Sequence, residues 1–444
     1  MALRLGLCLL ALAFPAFIAV AMYHGSINYP FWDHIEITSA IVKAINGTIS
    51  LGDFFSFHNE HRPATYRALV VGLALLTSWN LQIELVVLWL IHVAIFLVGL
   101  KGLCSAASSQ TRFIVAMPLL SALIFSPVAH NNQWWGMMIA IALASLFLMG
   151  TFISYGLSTD RRGSALVAFA CATLATFSIA NGVIAFLALA ATSLIYRRNY
   201  AQAVFWILAG GIVFAVYLIG FPSPPHGQPN LLATVKFAVV TLGAPLAGLI
   251  WFPYQHPFDI PLGLIFPGTI GLLLVVFWSV LVSREQLRAS PDGPVSCAIA
   301  MGLFAIGNAL LTGYGRATFD SFGIAAANSS RYSTFNAYLC LSILLLCVRR
   351  AWFEHPRYLT AKIAVYVVAL GVIVTAYWQS WRIFDSIHAF DDTVLRKAYC
   401  RFDQDKDKGG HIYPNPEHTE RMIGLMRENK IGPYRNASAL DCRE

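Results

Sequence analysis

Charge is scarce in this chain: Asp, Glu, Lys and Arg make up 12% of its 444 residues, about half the share in an ordinary globular protein. That scarcity, with 57% hydrophobic residues and a mean hydropathy of +0.64, excludes a soluble domain and points to a polytopic, all-α integral membrane protein. Its eight cysteines lack the CxxC spacing that a zinc or dithiol redox site needs. Basic residues interleaved with aromatics, the mark of a nucleic-acid groove, are also missing. The net charge of +8 is therefore read as the excess of Lys and Arg that orients membrane helices, and no nucleic-acid partner is expected. Neither an internal repeat nor a low-complexity segment interrupts the chain.

What is present is a series of apolar runs at 5–22, 82–100, 113–128, 134–156, 163–180, 182–196, 202–220, 261–283, 295–313, 333–348 and 362–381, each a candidate for a spanning helix. Two further stretches, 66–79 and 231–251, are apolar but ambiguous, the first by its length and the second by Lys236. If both lie along the interface, eleven crossings remain, and the basic connections at Lys101/Arg112, Arg161/Arg162, Arg197/Arg198, Arg284/Arg288 and Arg349/Arg350/Arg357 all fall on the cytoplasmic side. An uncleaved first helix then leaves the loop 23–81 on the other side. With it lie the His130–Trp135 connection, the Asn181–Gly182 turn, 221–260, 314–332 and a tail from 383. The chain is expected to divide into a membrane domain, 1–382, and a small tail, 383–444. Cys400 and Cys442 stand alone in that polar tail, and on an oxidising side they are expected to join.

Chemistry is expected in these outer loops. The first carries Asp33, His34 and Glu36, then His58, Asn59, Glu60, His61 and Arg62. Asp33 and Glu36, three apart, share a face if 35–45 is helical. Asp33 also fits a helix N-cap, and Glu60 with Arg62 fits a loop-stabilising ion pair. His58 and His61 lack a well-spaced third ligand, so no metal site is assigned, although a divalent cation is compatible with the loop. Arg316 and Arg331, with Tyr332, fall where the positive-inside rule disfavours them. A guanidinium there suits a lipid-linked phosphate, or it snorkels to the interface. Asn132, Gln133 and Trp134 offer amides and an aromatic face of the kind that binds sugars, or that anchors a helix end. The Pro-rich loop 222–229 is read as a linker or lid without chemistry.

The order of these elements resembles the GT-C class of membrane glycosyltransferases, in particular the aminoarabinose transferase and protein O-mannosyltransferase group. Asp33 stands where that group places the acid opening the first loop, His61-Arg62-Pro63 where the loop closes before an interfacial helix, and Arg331-Tyr332 where a late outer loop supplies a basic residue and a tyrosine. The likeness covers roughly 1–350. It departs at His130–Trp135, which carries no acid, so that Glu36 or Glu60 takes that part or a single acid suffices. The resemblance implies transfer of a monosaccharide from a polyprenyl phosphate to a glycan, lipid or protein acceptor, with inversion. Asp33 would be the base, and Arg331 with Arg316 or Arg62 would hold the leaving phosphate. His58, His61, Asn132, Gln133 and Trp134 would hold substrate. A bacterial inner membrane with a periplasmic active face is the expected setting. The competing reading is a transporter or flippase of lipid-linked sugars, for which Glu84 and His92 are the ionisable residues within helices.

Overall fold

The computed structural model describes residues 2–157, 162–222, 230–250, 262–286, 291–318, 323–350, 359–402, 410–436 and 442. Residues 223–229 of the Pro-rich loop, Asp320, and the basic residues Arg161, Arg288 and Arg357 lie outside them. The elements are α1 (Ala2–His24), α2 (Thr38–Ile45), α3 (Leu51–Phe55), α4 (Ala64–Thr77), α5 (Leu81–Ala106), α6 (Gln110–Ile124), α7 (Asn131–Trp134), α8 (Ile139–Leu157) and α9 (Arg162–Thr176). They continue as α10 (Ile184–Ile195), α11 (Tyr200–Leu218), α12 (Leu231–Ile250), α13 (Leu262–Gln286), α14 (Gly293–Arg316), α15 (Ser333–Arg349), α16 (Leu359–Phe390), α17 (Arg396–Cys400) and α18 (Pro416–Glu428). Short 3-10 turns join several of them, and among the described residues the only β-pairing is one bridge between His58 and His61.

Among the described residues, ten helices are long and apolar enough to cross a bilayer, as a multi-pass membrane protein requires. The set differs from the sequence expectation at three places. The runs 163–180 and 182–196 form the shorter helices α9 and α10, separated by a turn, whereas α12 is a full 20-residue apolar helix.

Side-chain contacts show which ends of the helices meet. At one end Arg197 donates to the Tyr155 carbonyl at 2.7 Å and to Ser296 Oγ at 3.0 Å. There too Arg349 pairs with Asp292 (2.5 Å) and Arg350 with Glu285 (2.5 Å). At the other end, called the site end below, His24 meets Asp385, Thr65 meets Ser178, and Arg62 meets the last residues of α11. Both ends of α4 lie there: Thr65 bonds to the Phe177 carbonyl, and Trp79, just past the helix, bonds to Glu84. The same holds for α12. Near its start Thr234 packs on Gly313 at the end of α14, and near its finish Gly248 packs on Val128 in the turn after α6. Between these points Asn336, at the first turn of α15, donates to Thr241 at 3.2 Å. A chain of amides, Asn181 to Asn308 at 2.6 Å and Asn308 to Asn336 at 3.3 Å, continues this seam.

Small residues permit the closest crossings. Gly243 of α12 and Gly271 of α13 face each other's backbone so closely that a methyl on either would meet the other helix's carbonyls, the small-residue contact expected where lipid supplies no drive for helix association. Pro15 in α1 removes the hydrogen bond to the Ala11 carbonyl, and Ser121 Oγ of α6 fills that vacancy at 2.7 Å.

The tail packs onto the site end. Helix α16 runs unbroken through 382–383 and on through a π-turn, 391–395, into α17. Tyr399 donates to the Pro30 carbonyl (2.5 Å), Trp32 N–H to Ile412 O (2.6 Å) and Gly432 N–H to Ser78 O (3.0 Å). The amphipathic α18 buries Met422, Ile423 and Met426 against this region. Cys400 and Cys442 are joined in a disulfide across 42 residues, a loop whose closure stabilises the fold by roughly 4 kcal/mol on chain-entropy grounds.

Candidate functional site

The first loop is built around a two-residue turn. His58 N–H bonds to His61 O at 2.8 Å and His61 N–H to His58 O at 2.9 Å, with Asn59 in the left-handed region (φ 51) that asparagine tolerates. This turn sets His58 and His61 side by side and projects Glu60. Arg62, read in the sequence as a phosphate ligand, is occupied elsewhere. Its Nε donates to Tyr217 O at 2.8 Å, Nη1 to Phe55 O at 2.5 Å and Nη2 to Ile219 O, and its guanidinium lies 3.9 Å above the Phe57 ring. The carbonyls at the C-terminus of α11 have no partners within their own helix, and Arg62 supplies them, fastening the loop to the bundle.

Asp33 lies in the first turn of a 3-10 helix, Trp32–Ile37, whose N-cap is Phe31, so the cap role open to Asp33 in the sequence is not the one it takes. Its Oδ2 is 3.6 Å from His58 Nε2, and its side chain remains 42% exposed. His58 beside it holds the Asp33 carboxyl below its ordinary value against the opposing effect of burial, and the charges of His58, Arg331 and His61 act in the same direction. Arg331 thus belongs to the electrostatic surroundings of Asp33 although 298 residues separate them in the chain. Its guanidinium is exposed, lies 5.0 Å from the Tyr332 ring, and forms no hydrogen bond or ion pair among the described residues.

Arg316, at the end of α14, reaches across to form a short ion pair with Glu60. The sequence suggested Arg62 as the partner of Glu60; the fold supplies Arg316 instead. Burial pushes the Glu60 carboxyl up, but His61 and Arg316 outweigh it and leave it below its ordinary value. His61 lies 3.7 Å from Glu60, and burial takes its imidazole down to about 4.

The other sequence candidates sit around this cluster. Glu36 shares the 3-10 helix face of Asp33, since residues i and i+3 eclipse there, but it is engaged by the tail: His418 Nε2 lies 3.1 Å away. The Tyr413 hydroxyl is pushed up to about 12, first by burial and then by the charge of Glu36. Asn132 is buried and donates to the Arg331 carbonyl at 3.0 Å and to Thr334 Oγ1 at 2.8 Å, so it positions the turn that carries Arg331. Gln133 is likewise buried, donating to Ser126 O at 2.9 Å. Trp134 stacks on Phe31 with ring centroids 5.8 Å apart.

Comparison with known proteins finds no matching family model, no matching curated protein and no matching solved structure. The chemistry has to be read from the residues alone. Among the described residues, no three His, Cys, Asp or Glu side chains are grouped so as to hold a metal ion.

Two features went unread in the sequence. Directly beside Asp33, His34 Nε2 lies 2.9 Å from Glu84 Oε2, with both side chains fully buried, and Trp79 Nε1 donates to the other Glu84 oxygen at 2.8 Å. Gly136 leaves room for this pair, because a Cβ there would collide with the Glu84 carboxylate and the His34 ring. An acid in the first turn of a long apolar helix was the available signal. The second feature is the tail's contribution of Tyr413 and His418, for which no local signal exists.

The histidines give the site end a predictable pH response. His61 and His130 are both held down to about 4, from 6.5, chiefly by burial. Between these values the unfolded chain binds protons that the folded chain refuses, so stability rises with pH across that window and falls as pH drops from 6.5 towards 4. In detergent the thermal midpoint is expected to decline over that range, and His61→Gln is expected to make the decline shallower. Identical slopes for the two proteins would remove His61 from the account.

Proposed function

We propose that the protein is an inverting, GT-C-like membrane glycosyltransferase that moves a monosaccharide from a polyprenyl phosphate to an acceptor hydroxyl or amine. The observations that carry this reading are a half-exposed carboxylate 3.6 Å from His58, held below its ordinary value in part by the charge of Arg331, and the exposed Arg331 guanidinium, which lies 5.0 Å from the Tyr332 ring and forms no hydrogen bond or ion pair among the described residues. The carboxylate is the kind of group that takes a proton from an attacking nucleophile. The guanidinium is the kind that neutralises a departing phosphate.

In the proposed reaction the acceptor oxygen attacks the anomeric carbon as its proton passes to Asp33, and the bond from that carbon to the phosphate oxygen breaks. The phosphate leaves with the electron pair, opposite the attack and towards Arg331, so configuration inverts in one displacement and no second carboxylate nucleophile is required. Arg316, already neutralised by Glu60, plays the lesser electrostatic part. His58 and His61 flank the two carboxylates Asp33 and Glu60, and Asn132 fixes the turn of Arg331.

We read the membrane arrangement as eleven crossings: the ten long helices without α12, together with the shorter α9 and α10. Helices α4 and α12 lie along the interface at the site end. Arg197 and the doublet Arg349/Arg350, in connections between apolar helices, sit at the opposite end, whereas Arg396/Lys397 belongs to the tail at the site end. The bias in those connections supports a cytoplasmic assignment for the opposite end and a periplasmic site in a bacterial inner membrane. The alternative is a flippase of lipid-linked sugars. The cavity below the site end, to whose lining His92 of α5, Ser145 and Ser333 contribute, is about 30 Å³ and has room for about one or two waters, far less than a sugar needs.

One assay separates the two. Protein in nanodiscs is given a radiolabelled polyprenyl-phosphate sugar with membrane extract as acceptor source. Release of polyprenyl phosphate with label in a new product is expected. Movement of intact lipid-linked sugar across a vesicle bilayer, with no release, would replace the enzyme by the transporter.

A further inference from the structure

Asp33 stands at a boundary between two unlike environments. On one side are His58, His61 and Arg331, whose charges all act on it. On the other are Glu36 and the tail residues Tyr413 and His418. Tyr413 packs on His418 with ring centroids 5.0 Å apart, and His418 Nε2 lies 3.1 Å from Glu36, so the tail reaches the face of the 3-10 helix that presents both acids.

Trp32 opens that helix. Its φ of 49 is a genuine outlier for a bulky side chain, and its backbone is held there by the bond from its N–H to Ile412 O of the tail at 2.6 Å. The strain leaves the indole 49% exposed next to Asp33, without a ring contact among the described residues. Neighbouring aromatics behave otherwise: Phe31 packs on Trp134 and Trp135. A half-exposed aromatic held in a disfavoured conformation beside a candidate base suggests a surface reserved for a ligand.

The chemistry of that side narrows the ligand. Trp32 and Tyr413 offer flat aromatic faces, and Glu36 offers acceptor oxygens for hydroxyl hydrogens. Arg421 donates to His418 Nδ1 at 3.1 Å, and Arg67, which feels the Glu36 charge, donates to the Phe54 and Ser56 carbonyls, so neither guanidinium is set aside for an anion. An extended peptide would look for a strand edge, and none of the described residues there is in a strand. Hydroxyls on a ring with an apolar C–H face match what is present.

We propose that the seam between the first loop and the tail, formed by Trp32, Glu36, Tyr413 and His418 around Asp33, is the acceptor subsite and that it takes an uncharged carbohydrate. This rests on the glycosyl-transfer reading for its role, but the binding itself is measurable without turnover.

The test is saturation-transfer difference NMR on the full chain in nanodiscs, with maltose, cellobiose, lactose and chitobiose as probes. At least one disaccharide is expected to receive saturation from wild type. Trp32→Gly removes the ring while relieving the left-handed backbone, and it is expected to weaken binding about tenfold, equivalent to about 1.4 kcal/mol. Glu36→Gln is expected to weaken it less. Trp378→Ala, which removes an 81% exposed indole on α16, is expected to leave it unchanged. Absence of transfer to all four sugars, or equal transfer with Trp32→Gly and wild type, overturns the subsite. Sugar binding without any release of polyprenyl phosphate would retain the subsite and remove the transferase.

Discussion

Asp33→Asn is expected to lower glycosyl transfer by roughly 10²- to 10⁴-fold, the usual contribution of a positioned base, or about 3 to 5 kcal/mol at the transition state. Folding is expected to survive. The side chain is 42% exposed and lies in a turn capped by Phe31 rather than by itself, so the amide disturbs little beyond the contact with His58. With its carboxyl held below the ordinary value, chiefly by His58, Asp33 is ionised at neutral pH, and activity should show no acid limb from this residue near neutrality. The measurement is release of polyprenyl phosphate by purified protein in detergent, with thermal stability and elution volume as controls for folding. Wild-type turnover in Asp33→Asn would dismiss Asp33 as the base. The remaining carboxylates are poorer substitutes, since Glu60 is tied to Arg316 and Glu36 to His418.

The helical plan and the clustering of the outer loops were legible in the sequence because both depend on local composition. A segment's apolar length decides whether it can enter a bilayer, and loop residues announce themselves by charge. The stretch 231–251 shows where this stops. By length and hydropathy α12 qualifies as a span, and only its contacts with Gly313 and Val128, both at the site end, reveal its course across the bundle. Hydropathy carries no information about direction.

Pairing of side chains was less legible still. The sequence placed Glu60 beside Arg62 because they are neighbours in the chain. The fold gave Glu60 to Arg316, 256 residues away, because the last carbonyls of α11 compete for Arg62. In the same way Glu84 looked like an intramembrane acid of a transporter, whereas it lies in the first turn of α5 and is matched to His34 and Trp79. The pairing of Cys400 with Cys442 could be anticipated, since the other six cysteines lie in or next to apolar stretches and these two sit in the polar tail; the docking of that tail against Glu36 could not.

Arg331→Ala is expected to reduce turnover by roughly 10²- to 10³-fold, as when one preorganised donor to a developing anion is removed. The reason lies in what surrounds it. Its guanidinium has no hydrogen bond or ion pair among the described residues, while the turn that carries it is fixed from below by Asn132, whose amide holds the Arg331 carbonyl at 3.0 Å. A rigid backbone with an uncommitted charged side chain is suited to receive an anion, and a snorkelling arginine needs no such support. Arg331→Lys should recover part of the loss, since an ammonium keeps the charge but not the planar fork that matches two phosphate oxygens. Arg316→Ala should cost less than Arg331→Ala, because Glu60 already neutralises Arg316. If snorkelling were the whole role of Arg331, Arg331→Ala would shift thermal stability and leave turnover intact. If Arg316→Ala were inactive while Arg331→Ala turned over normally, the phosphate would belong at the end of α14, and Glu60 would be the group it displaces.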